Sequence, residues 1–308
     1  MSGNRLVIAT RRSRLALWQA EHVKARLESA HPGLAVELLP LSTRGDELLE
    51  TRLDEAGGKG LFVKELEAAM AEGRADLAVH SIKDVPAELP PGFILAAITA
   101  REDPRDAWVS ASLPGLAAAP AGAVVGTSSL RRQAQLLARR PDVTVKLLRG
   151  NVETRLRKLD AGEYDAVLLA AAGLARLGLA ARIRARLAPE EMLPAPGQGA
   201  LGIECLAARP DVARLLAALA EESSSACVRA ERAVSLALGG NCTMPLGAYA
   251  EPQGATLRVR AVLGSPDGKR ILRADCSGSA SDPEALGRRA AEELRRGGAE
   301  AILAALGQ

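Results

Sequence analysis

"VGTSSLRRQ", residues 125–133, joins a short apolar run to a helix-forming one through Gly-Thr-Ser-Ser. Such a join is the elementary step of an α/β fold: a strand ends, and small hydroxyl residues accept from the backbone N–H groups that a helix start leaves unpaired. The device recurs in "LLRGNVETRL", with Arg149 at a strand end, Asn151 as N-cap and Arg155 in the first helical turn. It recurs again in "IATRRSRLALWQ", where Arg11 and Ser13 stand between the strand "RLVIAT" and a helix. That helix sets Ala16, Ala20, Val23, Leu27 and Ala30 on one apolar face, at steps of four and three.

Outward from these joins the alternation continues. "AVELLPL" and "ADLAVHS" read as strands, separated by "GLFVKELEAAMAEG", a helix ending at Gly73. Strands alternating with helices imply a largely parallel sheet covered by helices. Near residue 99 the texture changes to "TAREDPRDAW", charged and proline-bearing, which reads as a crossing point. The pattern then restarts in "AVVGTSS", "VTVKLLRG" and "YDAVLLAAAGL", a second α/β unit of similar plan. "GQGALG", 197–202, matches G-x-G-x-x-G, but it follows a Pro-rich loop and enters a strand, the reverse of a dinucleotide turn. "GGKG", 57–60, lacks the rest of a phosphate-binding loop. From about residue 222 come a helix with "ACVRAERAVSLAL", a bend around Cys242, the strands "TLRVRAVLG" and "RILRADCSG", and a helix broken at Gly297 and Gly298. They form a small C-terminal α+β domain.

Composition narrows the function. The chain has 308 residues, long for one core, so two or three domains are expected. No apolar run approaches the ~18 residues of a membrane span, and "MSGNRLVIATRRSR" has no signal-peptide stretch, so a cytoplasmic protein is expected. Four cysteines far apart and three histidines predict neither a zinc site nor a disulfide framework; no metal is expected. Cys205 and Cys227 read as small buried residues. Net charge is only +3, yet the cations are 33 Arg against 7 Lys, a bias that suits bidentate recognition of carboxylate or phosphate. Aromatic residues, at 2%, are too few for nucleic-acid stacking platforms, and the cations cluster at strand ends rather than along a helix face.

Position supplies the chemistry. Thr127, Ser128 and Ser129 place hydroxyls and N–H groups at a positive helix end, with Arg131 and Arg132 in its first turn. Acidic residues are the stabilising choice there, so arginines point to a negative partner from outside; a merely solvated helix start is the alternative. Three basic turns at the carboxyl ends of strands should converge on one polyanionic ligand. In "LAVHSIKDVPAELPP", Lys83 and Asp84 follow a strand. A carboxylate among arginines stays ionised and can stabilise a developing cation or relay a proton; a plain turn-former before Pro86 is the alternative for Asp84. His80 reads as a satisfied core residue. The stretch 42–62 reads as a lid, or as a loop without function.

These motifs, with "GGKGLFVKELE" and "LPAPGQGALGIEC", closely resemble the successive motifs of the porphobilinogen deaminase (hydroxymethylbilane synthase) family, from about residue 5 onward and fading after 250. The resemblance implies two lobes like those of periplasmic binding proteins, with mixed, mainly parallel sheets, plus the C-terminal domain: 1–98 with 200–218, 99–199, and 219–308. It implies a transferase that joins four porphobilinogen molecules head to tail, losing ammonia each time, on a covalent dipyrromethane primer, as a monomer without nucleic-acid or membrane partners.

By its place in "GGNCTMPLG", Cys242 would be the thioether tether. A tether reacts once and holds, so it needs no neighbouring base. Asn241 stands where the family usually has Gly. By the same matching, Asp84 would assist loss of ammonia and stabilise the azafulvene and protonated pyrrole. Lys83, Ser81, Thr127, Ser129, Arg131, Arg132 and Arg155 would hold the cofactor, and Arg11, Ser13, Gln19, Arg149, Arg155, Arg176 and Gln198 the substrate and chain. Lys59 and Phe62 would belong to the lid. A two-lobed anion-binding protein or sensor without catalysis is the alternative that shares this sheet plan.

Overall fold

The computed structural model of the chain describes residues 5–43, 63–240 and 244–306. Strand β1 (Arg5–Arg11) leads into α1 (Arg14–Ala30), whose buried face is Ala16, Gln19, Ala20, Val23 and Leu27. Ala30, expected on that face, is exposed: the helix ends there, and the N–H of His31 caps it on the Leu27 carbonyl. Then come β2 (Ala35–Leu41), α2 (Lys64–Ala71), β3 (Leu77–Ser81) and β4 (Phe93–Ile98). Gly73, just past α2, takes φ +70°, where a side chain would be strained.

The chain crosses over to β5 (Asp106–Val109) and builds a second layer from β6 (Val124–Gly126), α3 (Leu130–Arg139), β7 (Thr144–Lys146), α4 (Val152–Asp160), β8 (Ala166–Ala170), α5 (Ala171–Arg176) and β9 (Ala185–Leu187). It returns as β10 (Leu201–Leu206) and α6 (Pro210–Leu216).

The two five-stranded sheets, β2-β1-β3-β10-β4 and β7-β6-β8-β5-β9, share one plan. In each, two parallel pairings are followed by one strand antiparallel to both its neighbours. Four strands therefore run one way. The fifth is the strand that has just arrived from the other lobe, β10 in the first and β5 in the second. Inserting beside the central strand, each ties its crossing into the partner lobe's core. A crossing tied at both ends puts the carboxyl ends of the parallel strands at the cleft between lobes.

The glycines of "GQGALG" serve packing. A Cβ on Gly197 would lie 2.0 Å from a methyl of Ile82, and one on Gly202 2.3 Å from its Cδ1. Ile82 is buried between them and immediately precedes Lys83 and Asp84, so both crossing and return strand must be bare for that loop to seat.

The third unit packs α7 (Glu222–Ala237) and α8 (Pro283–Arg296) on an antiparallel sheet of β11 (Leu246–Gln253), β12 (Thr256–Gly264) and β13 (Ile271–Ser279), with α9 (Ala299–Ala304) closing it. Cys227, Val234, Leu263 and Leu294 are among its core residues, while Val228 on α7 packs instead with Ile82, Ile98 and Ala200. Among the described residues no helix is long and apolar enough to cross a membrane, and no His, Cys, Asp and Glu group could hold a metal ion.

Candidate active site

At the end of β3 the chain tightens into a single helical turn, Ile82–Asp84, with the Val85 N–H donating to the Ile82 carbonyl at 3.0 Å. Ile82 anchors it inward, and its N–H donates to the Ala200 carbonyl at 3.1 Å. From the third domain, Arg232 donates to the carbonyls of Val85, Pro86 and Ala87 at 3.3, 2.8 and 3.0 Å. The loop carrying Lys83 and Asp84 is thus held from the first sheet, the return crossing and α7.

The second lobe faces it with the "GTSSLRR" turn. Ser129 is the N-cap of α3, accepting from the Arg132 N–H, and Thr127 Oγ accepts from the Ser129 N–H at 3.1 Å. Ser13 and Asn151 cap α1 and α4 in the same way. These side chains therefore satisfy their own helix starts.

Arg131 and Arg132 correct the expectation that their first negative partner comes from outside. Both are buried, and both pair with Asp106 at the start of β5: Arg131 Nη1 lies 2.6 Å from Oδ2 and Arg132 Nη2 2.7 Å from Oδ1. Burial alone would raise the Asp106 carboxyl, but the two guanidinium groups hold it well below the usual carboxylate range. A buried charge collects its counter-charge within the fold before anything binds. Gln198 Nε2 adds a third partner at 3.0 Å on Oδ1.

Electrostatics tie the two sides together. Burial lowers the Lys83 ammonium to about 8; the charges of Asp84 and Asp106 oppose the shift, and those of Arg132 and Arg131 add to it. Burial, with Arg132 and Arg149 beside it, lowers Arg155 to about 10, and Asp84 opposes that shift too. Asp84 thus sits within the field of Lys83, Arg132 and Arg155. A cavity opens where these elements meet, lined by Lys83, Ser129, Arg131 and Arg232, and by Gly240 and Met244. Those last two flank residues 241–243.

Of the other expected residues, Gln19 donates to the Ser81 hydroxyl at 2.9 Å, joining α1 to the end of β3. Arg149 is buried and Arg11 half-buried at their strand ends. Arg176 is no solvated helix charge: it is buried at the crossings, donating to the Gly199 carbonyl at 2.7 Å and to Glu102, with its guanidinium 5.8 Å from the Trp18 ring centre. His80 is a satisfied core residue, 2.9 Å from Glu204. Cys205 and Cys227 are buried as expected. Cys242, Lys59 and Phe62 lie outside the described residues.

Sequence reasoning missed Asp106 and Arg232. The signal for Asp106 was an acid entering the apolar run "DAWV", a position that demands a buried cation.

A family model described as "Porphobilinogen deaminase, dipyromethane cofactor binding domain" matches residues 6–214, and "Porphobilinogen deaminase, C-terminal domain" matches 225–296. The chain is 57% identical over 303 residues to the porphobilinogen deaminase of Chromobacterium violaceum, spanning 98% of each, and 58% identical over 302 residues to that of Bordetella parapertussis. The chain belongs to the porphobilinogen deaminase family. A putative methionine-binding lipoprotein from Bacillus subtilis overlays 73% of this chain and 93% of its own at 13% identity, with a TM-score of 0.45.

Membership of the porphobilinogen deaminase family sets aside the sensor without catalysis. The family's cofactor-binding domain spans both five-stranded sheets, so the cavity at their junction lies within it and at its border with the C-terminal domain.

Proposed function

We propose that the cavity between Lys83, Ser129 and Arg131 holds the carboxylates of a dipyrromethane cofactor tethered at Cys242, and that Asp84 is the catalytic residue beside it. The enzyme condenses four porphobilinogen molecules head to tail with loss of ammonia and releases the linear tetrapyrrole. The observation that carries the residue assignments is the cavity lining: cations from both lobes meet Gly240 and Met244, the neighbours of the segment bearing Cys242.

The residues fit the group. A dipyrromethane bears two carboxylates on each pyrrole, and the buried Nε of Arg131 has no hydrogen-bond partner among the described residues. A donor left open in a cation-lined cavity suits an anionic ligand. When bound, the group supplies a pyrrole α-carbon as the nucleophile that lengthens the chain.

Lys83, Ser129, Arg131, Arg132 and Arg155 bind and orient carboxylate arms, with Arg11, Ser13, Arg149 and the Gln19–Ser81 pair completing the walls. Thr127 supports Ser129, while Gln198 and Arg176 brace the crossings that set the spacing of the lobes. Asp84 stabilises the cation left on the substrate as its C–N bond breaks and ammonia leaves. After the new C–C bond forms, the same carboxylate accepts the α-carbon proton. One acid suffices because both steps place positive charge at the same point, and a partly dry site strengthens its pull. Lys59 and Phe62 shield the site. The chain works as a monomer in the cytoplasm, apart from nucleic acid.

Intact-mass spectrometry tests the tether. The parent chain, purified from cells that supply porphobilinogen, should exceed its polypeptide mass by two pyrrole units, and Cys242→Ser should not; an adduct retained on the Ser variant would place the tether elsewhere.

A further inference from the structure

Asp106 is fully buried, lies outside every motif that marks the site, and receives five N–H contacts. Its donors are three residues from two places: Arg131 and Arg132 on α3, and Gln198 in the return crossing. Neighbouring residues on a helix leave the axis about 100° apart, so Arg131 and Arg132 would naturally diverge. Asp106 draws them to one point. Its Oδ1 takes Arg132 Nε at 3.0 Å and Nη2 at 2.7 Å, together with Arg131 Nη2 at 3.2 Å; its Oδ2 takes Arg131 Nη1 at 2.6 Å.

Backbone carbonyls complete the clamp. Arg131 Nη1 also donates to Leu193 O at 2.7 Å, and Arg132 Nη1 to Leu168 O at 3.0 Å. With both guanidinium planes fixed, the buried Nε of Arg131 has no hydrogen-bond partner among the described residues, and its side chain lines the cavity with Lys83 and Ser129. Two consequences follow. The carboxylate leaves a preorganised N–H on an otherwise spent guanidinium, and its negative charge lies within reach of Lys83 across the cleft. Holding donors before the ligand arrives removes the cost of ordering them on binding.

We infer that Asp106 is a positioning residue for the anion site, turning Arg131 and Arg132 so that a free guanidinium edge meets a pyrrole carboxylate. The inference rests on the site assignment above.

The test uses the holoenzyme with Asp106→Asn and Asp106→Glu, alongside Arg131→Leu. In Asp106→Asn, KM should rise about tenfold or more with kcat within about threefold. The basic limb of its kcat/KM profile should move to lower pH, because one of the two carboxylate charges that hold Lys83 protonated, the lesser after Asp84, is gone. Asp106→Glu keeps the charge and should keep the parent's limb while KM rises about fivefold from the displaced guanidiniums. A folded Asp106→Asn with KM within twofold and an unmoved limb would overturn the inference. Should that variant fail to fold, a Glu variant with KM within twofold would overturn it equally. Arg131→Leu separates the two levels: if it leaves KM and cofactor mass at parental values, the site assignment itself is wrong; if it is defective while both Asp106 variants are silent, only the positioning role falls.

Discussion

Glu231 and Asp106 are both fully buried carboxylates that gather guanidinium donors, and they do different work. Glu231, on α7, accepts from Arg101 at 2.6 and 3.1 Å, from the Gly197 N–H at 2.6 Å and from the Ala250 N–H at 2.7 Å. Its partners come from the outgoing crossing, the return crossing and β11. The network joins the third domain to both connections between lobes, and each of those donors ends on it. Asp106 gathers five N–H contacts but leaves Arg131 Nε open at the cavity. A closed network is a joint, and an open one is part of a site; local sequence does not separate them, since both are acids near arginines.

Loss of Asp84 probes the site end of this contrast most severely. Asp84→Ala should lower kcat at least a thousandfold, roughly 4 kcal/mol in barrier, with an unchanged unfolding midpoint; turnover within tenfold of the parent would remove it from the chemistry. Glu231→Ala should show the opposite signature. Breaking one partner of a buried ion pair costs about 3–5 kcal/mol, read as a lower urea midpoint, because Arg101 is left buried and uncompensated. A loss under about 1 kcal/mol would mean that the joint carries little.

Lys83 links the two sides of the site and gives a pH signature. Its ammonium is lowered to about 8, so the free enzyme loses that cation as pH rises through 8, and kcat/KM should fall there. Lys83→Gln should flatten that limb. A limb that persists in the variant would assign it to another group. For stability the sign is reversed: the unfolded chain holds the proton up to its higher ordinary value, so Lys83 costs stability below pH 8, and the cost fades toward pH 10.5.

The smallest effect concerns a third buried cluster, Glu67 facing the His80–Glu204 pair. Burial, with the charge of Glu204 adding and those of His80 and Lys64 opposing, raises Glu67 to about 7. The folded chain keeps this proton after the unfolded chain has released it near 4.5, so stability falls as pH rises between the two values. Glu67→Gln should reduce that fall, by on the order of 1 kcal/mol at pH 8, visible in unfolding midpoints at pH 5 and 8. Equal pH slopes in parent and variant would contradict it.

Much of the fold is local and therefore legible. Ser129, Ser13 and Asn151 announce their helices because an N-cap acts within three residues of itself. The antiparallel insertions of β5 and β10 are not legible that way, since their neighbours lie far off in the chain, as with Leu201 opposite Ser81. The site divides along the same line. Arginines at strand ends mark an anion site by position alone, but whether a guanidinium is already engaged depends on a carboxylate 25 residues away, as for Arg131 and Asp106. The glycines of "GQGALG" likewise make sense only against Ile82.

The central claim is that a cation-lined cavity between the lobes, lined also by Gly240 and Met244, which flank the segment bearing Cys242, grips the carboxylates of a bound pyrrole oligomer. A crystal structure of the protein purified with its cofactor tests it most directly. The account predicts pyrrole carboxylate oxygens within about 3 Å of Arg131 Nε and Lys83 Nζ, with Asp84 facing the pyrrole nitrogens; a cofactor lying outside that cavity, with Arg131 Nε still unpartnered, would contradict it.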